Sequence, residues 1–204
     1  MNKYGSSWKK AIVLVLTTAT MIGCPGVNGP GDINYPAPID SGDSAAIRAI
    51  LDSNGLQIVS VRKVIPQYSK NRIYQVNLDS LQLNSISITK DFEKLDSLTT
   101  INLSQNKLIT ISVPESLQFI LGDRLSIDIS NNSFPSFPLA IFKIKRIFYF
   151  DISHNEISSI PQEVMNSTNT QFVFYYNKLC NVSNTVARWL DSTNTNWQNV
   201  QTCP

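Results

Sequence analysis

The chain has 204 residues, of which 42% are hydrophobic and 16% are charged, and its formal net charge is +2. This composition can bury a core, which excludes a chain that is disordered throughout. Three of the 17 basic residues, Lys3, Lys9 and Lys10, precede residue 24, so the remainder carries 14 basic against 15 acidic residues. A near-neutral chain does not predict nucleic-acid binding, because phosphate recognition needs clustered Lys and Arg.

Residues 1–23 have the pattern of an export signal that is removed from the mature protein. Three lysines form a basic start, and an apolar stretch from Ala11 to Ile22 follows. That stretch is shorter than the roughly 20 residues that a membrane-spanning helix needs, and no later segment has an uninterrupted apolar run of that length. We therefore expect no transmembrane helix in the processed protein.

A cysteine follows this signal directly. The run Met21-Ile22-Gly23-Cys24 resembles the lipobox of bacterial lipoproteins, in which a small residue precedes a cysteine that is acylated and becomes the new N-terminus. The family usually has Leu at the position of Met21. The resemblance implies lipidation of Cys24 and membrane anchoring in the bacterial cell envelope, at the outer membrane or the cell surface. The alternative is an ordinary secretory signal cut nearby, with Cys24 as a free thiol.

Residues 24–43 are rich in Pro, Gly, Asn and Asp and have no apolar periodicity, which predicts a flexible linker. An N-terminal cap is predicted over residues 44–71. It starts with a helix whose apolar residues are spaced three and four apart, with Asp43 or Ser44 as the capping residue. The alternation from Leu56 to Ile65 then predicts one or two short strands.

One spacing recurs five times over residues 72–180. Two apolar residues separated by one position are followed three positions later by Asn and then by another apolar residue, as in Ile101, Leu103, Asn106 and Leu108. The copies begin near residues 73, 98, 124, 147 and 169, a period of 22 to 26 residues. This spacing resembles leucine-rich repeat proteins. The resemblance implies an α/β solenoid of about five repeats, with an N-terminal α/β cap and a helical, disulfide-closed C-terminal cap.

Within each copy, the two apolar residues predict a short strand whose side chains alternate between interior and surface. A buried Asn at the following turn can satisfy backbone groups with its amide. The first copy has Leu81 in that place, and the third has Arg124 where its first apolar residue is expected. We therefore expect a structural ladder that starts in the second copy and consists of Asn106, Asn132, Asn155 and Asn177.

Residues 181–204 depart from the repeat and predict the C-terminal cap, in which Ser183 can begin a helix. If Cys24 carries lipid, Cys180 and Cys203 remain as a pair. An exported chain is in an oxidising compartment, so we expect a disulfide between them. The segment resembles the cysteine-closed caps of exported leucine-rich repeat proteins.

Catalytic and metal-ligating groups are scarce. The one histidine, His154, lies close in sequence to Asp151 and Ser153, and Ser130 occupies the position of Ser153 in the preceding repeat. A catalytic triad could be built from these residues, but a hydrolase centred on His154 is the least favoured hypothesis. One histidine and two bridged cysteines cannot provide a zinc site, and no calcium loop or glycine-rich phosphate loop occurs. We expect a non-enzymatic protein with no cofactor and no metal.

Function is expected on the concave face of the sheet, where exposed Tyr and Phe bury a large area at low entropic cost. The expected binding residues are Tyr74, Asn77, Asp79, Asn102, Asp128, Phe148, Tyr149, Asp151 and Tyr175. The same reasoning places Leu125 on this face. The favoured hypothesis is a scaffold that binds another protein, and the alternative is a glycan-binding or adhesive surface module. A third interpretation is that the aromatic rings only support the sheet.

Overall fold

Nine short strands and three α-helices occur in the computed structural model, which describes residues 38–66, 68–115, 124–144, 147–167, 169–194 and 196–203. All of these residues belong to one unit, Pro36–Pro204. The export signal, Cys24 and most of the expected linker lie outside the described residues. Within the described ranges, no helix has both the length and the apolar character needed to cross a membrane.

Helix α1, Ser41–Ser53, begins earlier than the sequence predicted. Its capping residue is Asp40, whose Oδ1 accepts hydrogen bonds from the N–H groups of Gly42 at 2.8 Å and Asp43 at 3.1 Å. The prediction that Asp43 or Ser44 caps the helix is therefore wrong. A carboxylate in the capping position satisfies N–H groups that the first turn of a helix leaves without partners.

Asp43 instead is the buried partner of an ion pair with the partly exposed Arg72 at the start of the first repeat. Its side chain is 1% exposed and accepts a hydrogen bond from the N–H of Ile73 at 2.8 Å. Arg72 donates to the same carboxylate at 2.9 Å and also reaches the exposed Asp96 at 3.3 Å. Strand β1, Tyr68–Ser69, pairs antiparallel with strand β2, Arg72–Ile73. The ion pair thus joins helix α1 to this hairpin.

The segment from Leu56 to Ile65 does not form the strands that its alternation predicted. It contains turns and a 3-10 helix at Val61–Val64, and Ile58 is 98% exposed. The guanidinium of Arg48 donates to two carbonyls in or next to the turns, those of Leu56 and Val59. The Arg48 side chain therefore provides hydrogen bonds to these two carbonyls, which in a strand would be bonded to a neighbouring strand.

Five strands, one from each repeat copy, form a parallel sheet in chain order. They are β3 (Gln75–Asn77), β5 (Thr100–Asn102), β7 (Leu125–Asp128), β8 (Ile147–Asp151) and β9 (Gln171–Val173). The register keeps equivalent repeat positions side by side, and the central row is Val76, Ile101, Ile127, Phe150 and Phe172. All five residues of this row are buried, so one face of the sheet lies on the core.

The chain between these strands forms a second layer that covers the core. Strands β4 (Ser85–Ser87) and β6 (Thr110–Ser112) pair in parallel. Single turns of helix follow at Lys90–Lys94, Leu139–Lys143 and α2 (Gln162–Met165), and the residues that these turns bury are Phe92, Ile141 and Val164.

Strand β8 has one residue more than β7 over the paired length. Leu125 pairs with Ile147, but the next residue of β7 pairs with Tyr149, so Phe148 has no partner in β7. Within β7 the burial alternates regularly, so Leu125, two residues before the buried Ile127, points to the core and is 0% exposed. The predictions that Leu125 faces outward and that Arg124 occupies the apolar position are therefore wrong. A shift of one residue in a strand exchanges its two faces.

A buried Asn follows each of the strands β5, β7, β8 and β9, and its amide joins two repeats. In Asn132, Nδ2 donates to carbonyls of its own repeat and, at 3.0 Å, to the carbonyl of Leu103 in the preceding repeat. Its Oδ1 accepts from the N–H of Leu108 in that preceding repeat at 2.9 Å. The same arrangement recurs at Asn106, Asn155 and Asn177. These amides satisfy buried backbone groups at every turn.

Gln201 continues this row of amides beyond the last Asn. Its Oε1 accepts from the N–H groups of Asn177 at 3.2 Å and Leu179 at 3.4 Å. Its Nε2 donates to the carbonyl of Phe174 at 3.2 Å. Leu179 and Phe174 occupy, relative to Asn177, the positions that Leu108 and Leu103 occupy relative to Asn106. Gln201 therefore makes the contacts that an Asn in a further repeat would make.

The C-terminal segment contacts the last strand and its turn through Trp189, whose ring centroid lies 6.0 Å from that of Phe172 and 5.7 Å from that of Phe174. Helix α3, Asn184–Thr193, begins after Ser183, whose Oγ accepts from the N–H of Val186 at 3.4 Å. The expected disulfide joins Cys180 and Cys203, with the Cα atoms 5.7 Å apart. A 3-10 helix at Trp197–Val200 lies between α3 and Cys203. The disulfide thus returns the chain to the turn of the last repeat.

Candidate functional site

One face of the five-stranded sheet points away from the core, and we call it the polar sheet face. Side chains alternate along a strand, so the residues on either side of the buried central row share this face. None of them is fully buried, and they are Gln75, Thr100, Ser126, Tyr149 and Gln171 in a first row and Asn77, Asn102, Asp128, Asp151 and Val173 in a second row.

The second row also directs the chain out of the sheet. The Oδ1 atoms of Asn102, Asp128 and Asp151 each accept a hydrogen bond from the N–H two residues later, at 2.8 to 2.9 Å. Asn77 makes a longer contact of the same kind, at 3.4 Å, with Asp79. This turn uses one side-chain oxygen and works equally with an amide or a carboxylate. The second oxygen of each Asp is left for other contacts.

Asp128 and Asp151 lie directly opposite each other on adjacent strands. Adjacent strands are separated by about 4.8 Å, and like charges directly opposite each other destabilise a sheet. The Oδ2 of Asp151 accepts from the hydroxyl of Tyr149 at 3.3 Å, whereas no described residue donates to the Oδ2 of Asp128. None of the ion pairs among the described residues includes either carboxylate. Among the described residues, the centre of the face thus carries two carboxylates without a paired cation.

Tyr149 stands beside this pair as a neutral hydrogen-bond donor. Burial, together with the neighbouring Asp151 and Asp128, raises the pKa of Tyr149 from 10.0 to about 12, because a phenolate here would be desolvated and would be a third negative charge. The hydroxyl therefore keeps its proton throughout the physiological range.

Phe148, the residue without a partner in β7, is 43% exposed. The guanidinium of Arg124 lies over its ring, 5.1 Å from the ring centroid. A cation at this distance is attracted to the face of an aromatic ring. An exposed aromatic ring is also the type of side chain that is enriched in protein contact surfaces. The strand irregularity thus presents an aromatic group next to Tyr149 in the chain.

The expected binding residues do not all lie together. Asn77, Asn102, Asp128, Tyr149 and Asp151 occupy the two rows of the polar sheet face, as described above. The others lie at or beyond strand ends: Tyr74 before β3, Asp79 after β3, Phe148 in the irregular part of β8 and Tyr175 after β9. Tyr74 and Tyr175 are half-buried.

His154 lies outside the polar sheet face. Its φ is +53°, and its ring stacks on that of Tyr176 with centroids 4.2 Å apart. Among the described residues, no hydrogen bond joins its imidazole to Asp151, Ser130 or Ser153. No three His, Cys, Asp or Glu side chains of the described ranges are grouped so that they could hold a metal ion. The hydrogen-bonded triad that the hydrolase hypothesis requires around His154 is therefore not present among the described residues.

A family model described as Leucine Rich Repeat matches residues 97–120, a segment that includes β5, Asn106 and β6. The match supports a leucine-rich repeat protein. A search of curated proteins finds no match to the chain. Leucine-rich repeat domains commonly bind other proteins, so the match suggests a protein-binding scaffold in general terms.

Proposed function

We propose that the chain is a non-enzymatic scaffold whose polar sheet face binds another protein. The observation that carries this proposal is the asymmetry of the sheet. One face is buried on the core, and the other presents mostly short polar side chains and the Tyr149 ring, with the exposed Phe148 preceding Tyr149 in strand β8. Short side chains on paired strands form a rigid surface, and aromatic rings bury area with little loss of entropy.

We propose that this face belongs to an α/β solenoid of about five repeats with a cap at each end. The support is the common register of five strands and the row of amides that joins successive repeats. In such an array each repeat contacts its neighbours, and the strands of successive repeats together form one extended binding surface.

A photocrosslinking residue tests which surface carries the partner. It is placed either at Gln171, which is exposed on the polar sheet face, or at Glu93, which is exposed on the 3-10 helix Lys90–Lys94. In intact cells the Gln171 position should capture one defined protein and the Glu93 position should not. Capture from Gln171 should fall when Tyr149→Ala or Tyr175→Ala is added. Equal capture from both positions contradicts the proposal, and loss of the product after enzymatic removal of glycans favours the glycan-binding alternative.

We further propose that the export signal is cut before Cys24 and that lipid on Cys24 holds the scaffold in the bacterial envelope, at the outer membrane or the cell surface. The support is the run Met21–Cys24, together with a disulfide that suits an oxidising compartment. Several acyl chains give stable anchoring, at about 0.8 kcal/mol per buried CH₂.

Metabolic labelling with an alkyne fatty acid tests the anchor. The wild-type protein should be labelled and Cys24→Ser should not, whereas Cys180→Ser, which changes a different cysteine, should keep the label. Label that persists in Cys24→Ser contradicts lipidation at this residue and leaves the binding proposal intact.

A further inference from the structure

Charge is distributed unevenly around the sheet. We consider the two rows of the polar sheet face together with the residue that follows each member of the second row by two positions. These positions include three acidic residues and no Lys, Arg or His. The acidic residues are Asp79, Asp128 and Asp151. Basic residues of the same repeats stand outside these positions: Arg124 precedes β7 and lies over the ring of Phe148, Lys107 and Lys178 follow the buried Asn residues, and Lys178 is paired with Glu156 at 3.1 Å. A partner that docks on the polar sheet face therefore meets a negative potential.

The three carboxylates differ in how far the protein satisfies them. Asp79 accepts from the hydroxyl of Ser80 at 3.1 Å, and Asp151 uses both oxygens within the chain. Asp128 uses only Oδ1, for the N–H of Ser130. Its partner across the strand pair is a second acidic residue, Asp151, and no ion pair among the described residues includes either carboxylate. A positive group from outside would offset this repulsion and gain two charge-assisted hydrogen bonds.

The aromatic side chains next to the pair suit the same kind of guest. The hydroxyl of Tyr149 donates to Asp151, so its ring is held beside the carboxylates. The ring of Phe148 already carries the guanidinium of Arg124, so an aromatic–cation contact of this type forms at this strand. A planar guanidinium can accept both contacts at once, because it pairs with carboxylates through its edge and stacks through its face.

We propose that the polar sheet face binds a basic segment of a partner protein and that an Arg or Lys side chain of that segment sits between Asp128 and Asp151. This inference rests on the proposed function and adds the chemistry of the partner. An acidic partner is repelled by the same pair, and a neutral one leaves the repulsion in place.

The test replaces both carboxylates by amides in the full-length protein. Asp128→Asn with Asp151→Asn keeps the Oδ1 acceptor that the turn needs, and Asn102 already fills the equivalent position in β5, so the fold should be retained. The control is Glu93→Gln with Glu163→Gln, which changes the net charge equally at two exposed residues outside the sheet. Random peptides displayed on phage are selected on the purified wild-type protein, and the affinity of the enriched peptides is measured for all three forms.

The enriched peptides should share an Arg or Lys, and that residue should be needed for binding. The Asp128/Asp151 double variant should bind them about tenfold more weakly, and the control double variant should bind as the wild type does. Raising the salt concentration from about 0.05 to about 0.5 M should weaken wild-type binding more than binding to the double variant. Enriched peptides without a basic residue, or equal losses in the two double variants, overturn the inference.

The outcome also separates this inference from the scaffold proposal. If the photocrosslinker at Gln171 captures its partner equally well from the wild type and the Asp128/Asp151 double variant, the basic partner is wrong and the scaffold stands. If Gln171 captures no more than Glu93 does, the scaffold proposal itself is wrong.

Discussion

The two ends of the sheet are closed by different chemistry. At the first repeat, a buried carboxylate, that of Asp43, binds both the N–H of Ile73 and the guanidinium of Arg72. At the last repeat, a neutral amide, that of Gln201, satisfies the exposed backbone of the turn, and a disulfide holds the segment in place. A buried charge is strongly destabilising when its partner is removed, whereas a lost amide costs only the groups left unpaired. The ends should therefore differ in how sharply they respond to mutation.

The largest effect is expected at the first repeat. Asp43→Ala removes the charge-assisted hydrogen bonds to the N–H of Ile73 and to the Arg72 guanidinium, which keeps only its contact with Asp96, and it should lower the free energy of unfolding by about 3–5 kcal/mol. Chemical denaturation measures this change. Asp96→Ala is the matched control, because Asp96 binds the same guanidinium but its side chain is 73% exposed, and it should cost less than about 1 kcal/mol. Similar losses in the two variants would remove the distinction between the buried and the exposed carboxylate.

The next effect concerns the disulfide at the last repeat. Cys180→Ser with Cys203→Ser should lower the free energy of unfolding by about 3 kcal/mol, because the unfolded chain is no longer constrained by a link between residues 23 apart in sequence. Native-state hydrogen exchange should show the loss mainly around β9 and α3. Equal acceleration of exchange in α1 would mean that the two ends are not independent.

A smaller effect is expected for the amide that continues the row. Gln201→Ala leaves the N–H groups of Asn177 and Leu179 without their acceptor and should cost about 2 kcal/mol. Gln198→Ala, at an exposed position in the preceding 3-10 helix, should be nearly neutral. If both variants unfold at the same denaturant concentration, Gln201 does not act as the last member of the row.

The smallest effect is expected between the two ends, in the middle of the sheet. The pKa of Tyr149 is raised from 10.0 to about 12, so the folded state holds this proton more tightly than the unfolded chain does. Its contribution to stability is complete below pH 10 and is lost as the pH rises towards about 12. The free energy of unfolding should therefore fall more steeply over this interval in the wild type than in Tyr149→Phe. Parallel pH profiles for the two proteins would contradict the raised pKa.

The repeat spacing was sufficient to predict where the five strands lie, because two apolar residues in each copy must point to the core together. It was insufficient for the third repeat, where Arg124 and Leu125 compete for one position. The choice between them follows from the shorter spacing of this copy, in which Leu125 lies two residues before the buried Ile127, whereas Leu98 lies three residues before Ile101. A template taken from the other copies therefore points to Arg124 and misses Leu125.

The two terminal segments were predicted less well, because their structure depends on side-chain contacts between residues that are distant in the sequence. The alternation from Leu56 to Ile65 is a strand pattern, but these residues form turns and a 3-10 helix, and Arg48 satisfies carbonyls of the turns. Asp and Ser residues cluster at the start of α1, at positions 40, 41, 43 and 44, and local sequence does not distinguish Asp40 from Asp43 as the cap. Gln201 carried a usable signal, because it follows Asn177 by 24 residues, which is one repeat period. This signal was missed because the residue is Gln, whereas the repeat pattern has Asn at this position.

The buried amides have a consequence for how this chain can change in length. The bonds of each Asn reach only its own turn and the preceding one. Removal of residues 133–155 would take out one complete period, and Asn177 would then meet the carbonyl of Ile129 in place of that of Ile152. Insertion of a single residue within a strand, by contrast, moves every later side chain to the opposite face. For this architecture, gaining or losing a whole period is a milder alteration than gaining or losing one amino acid.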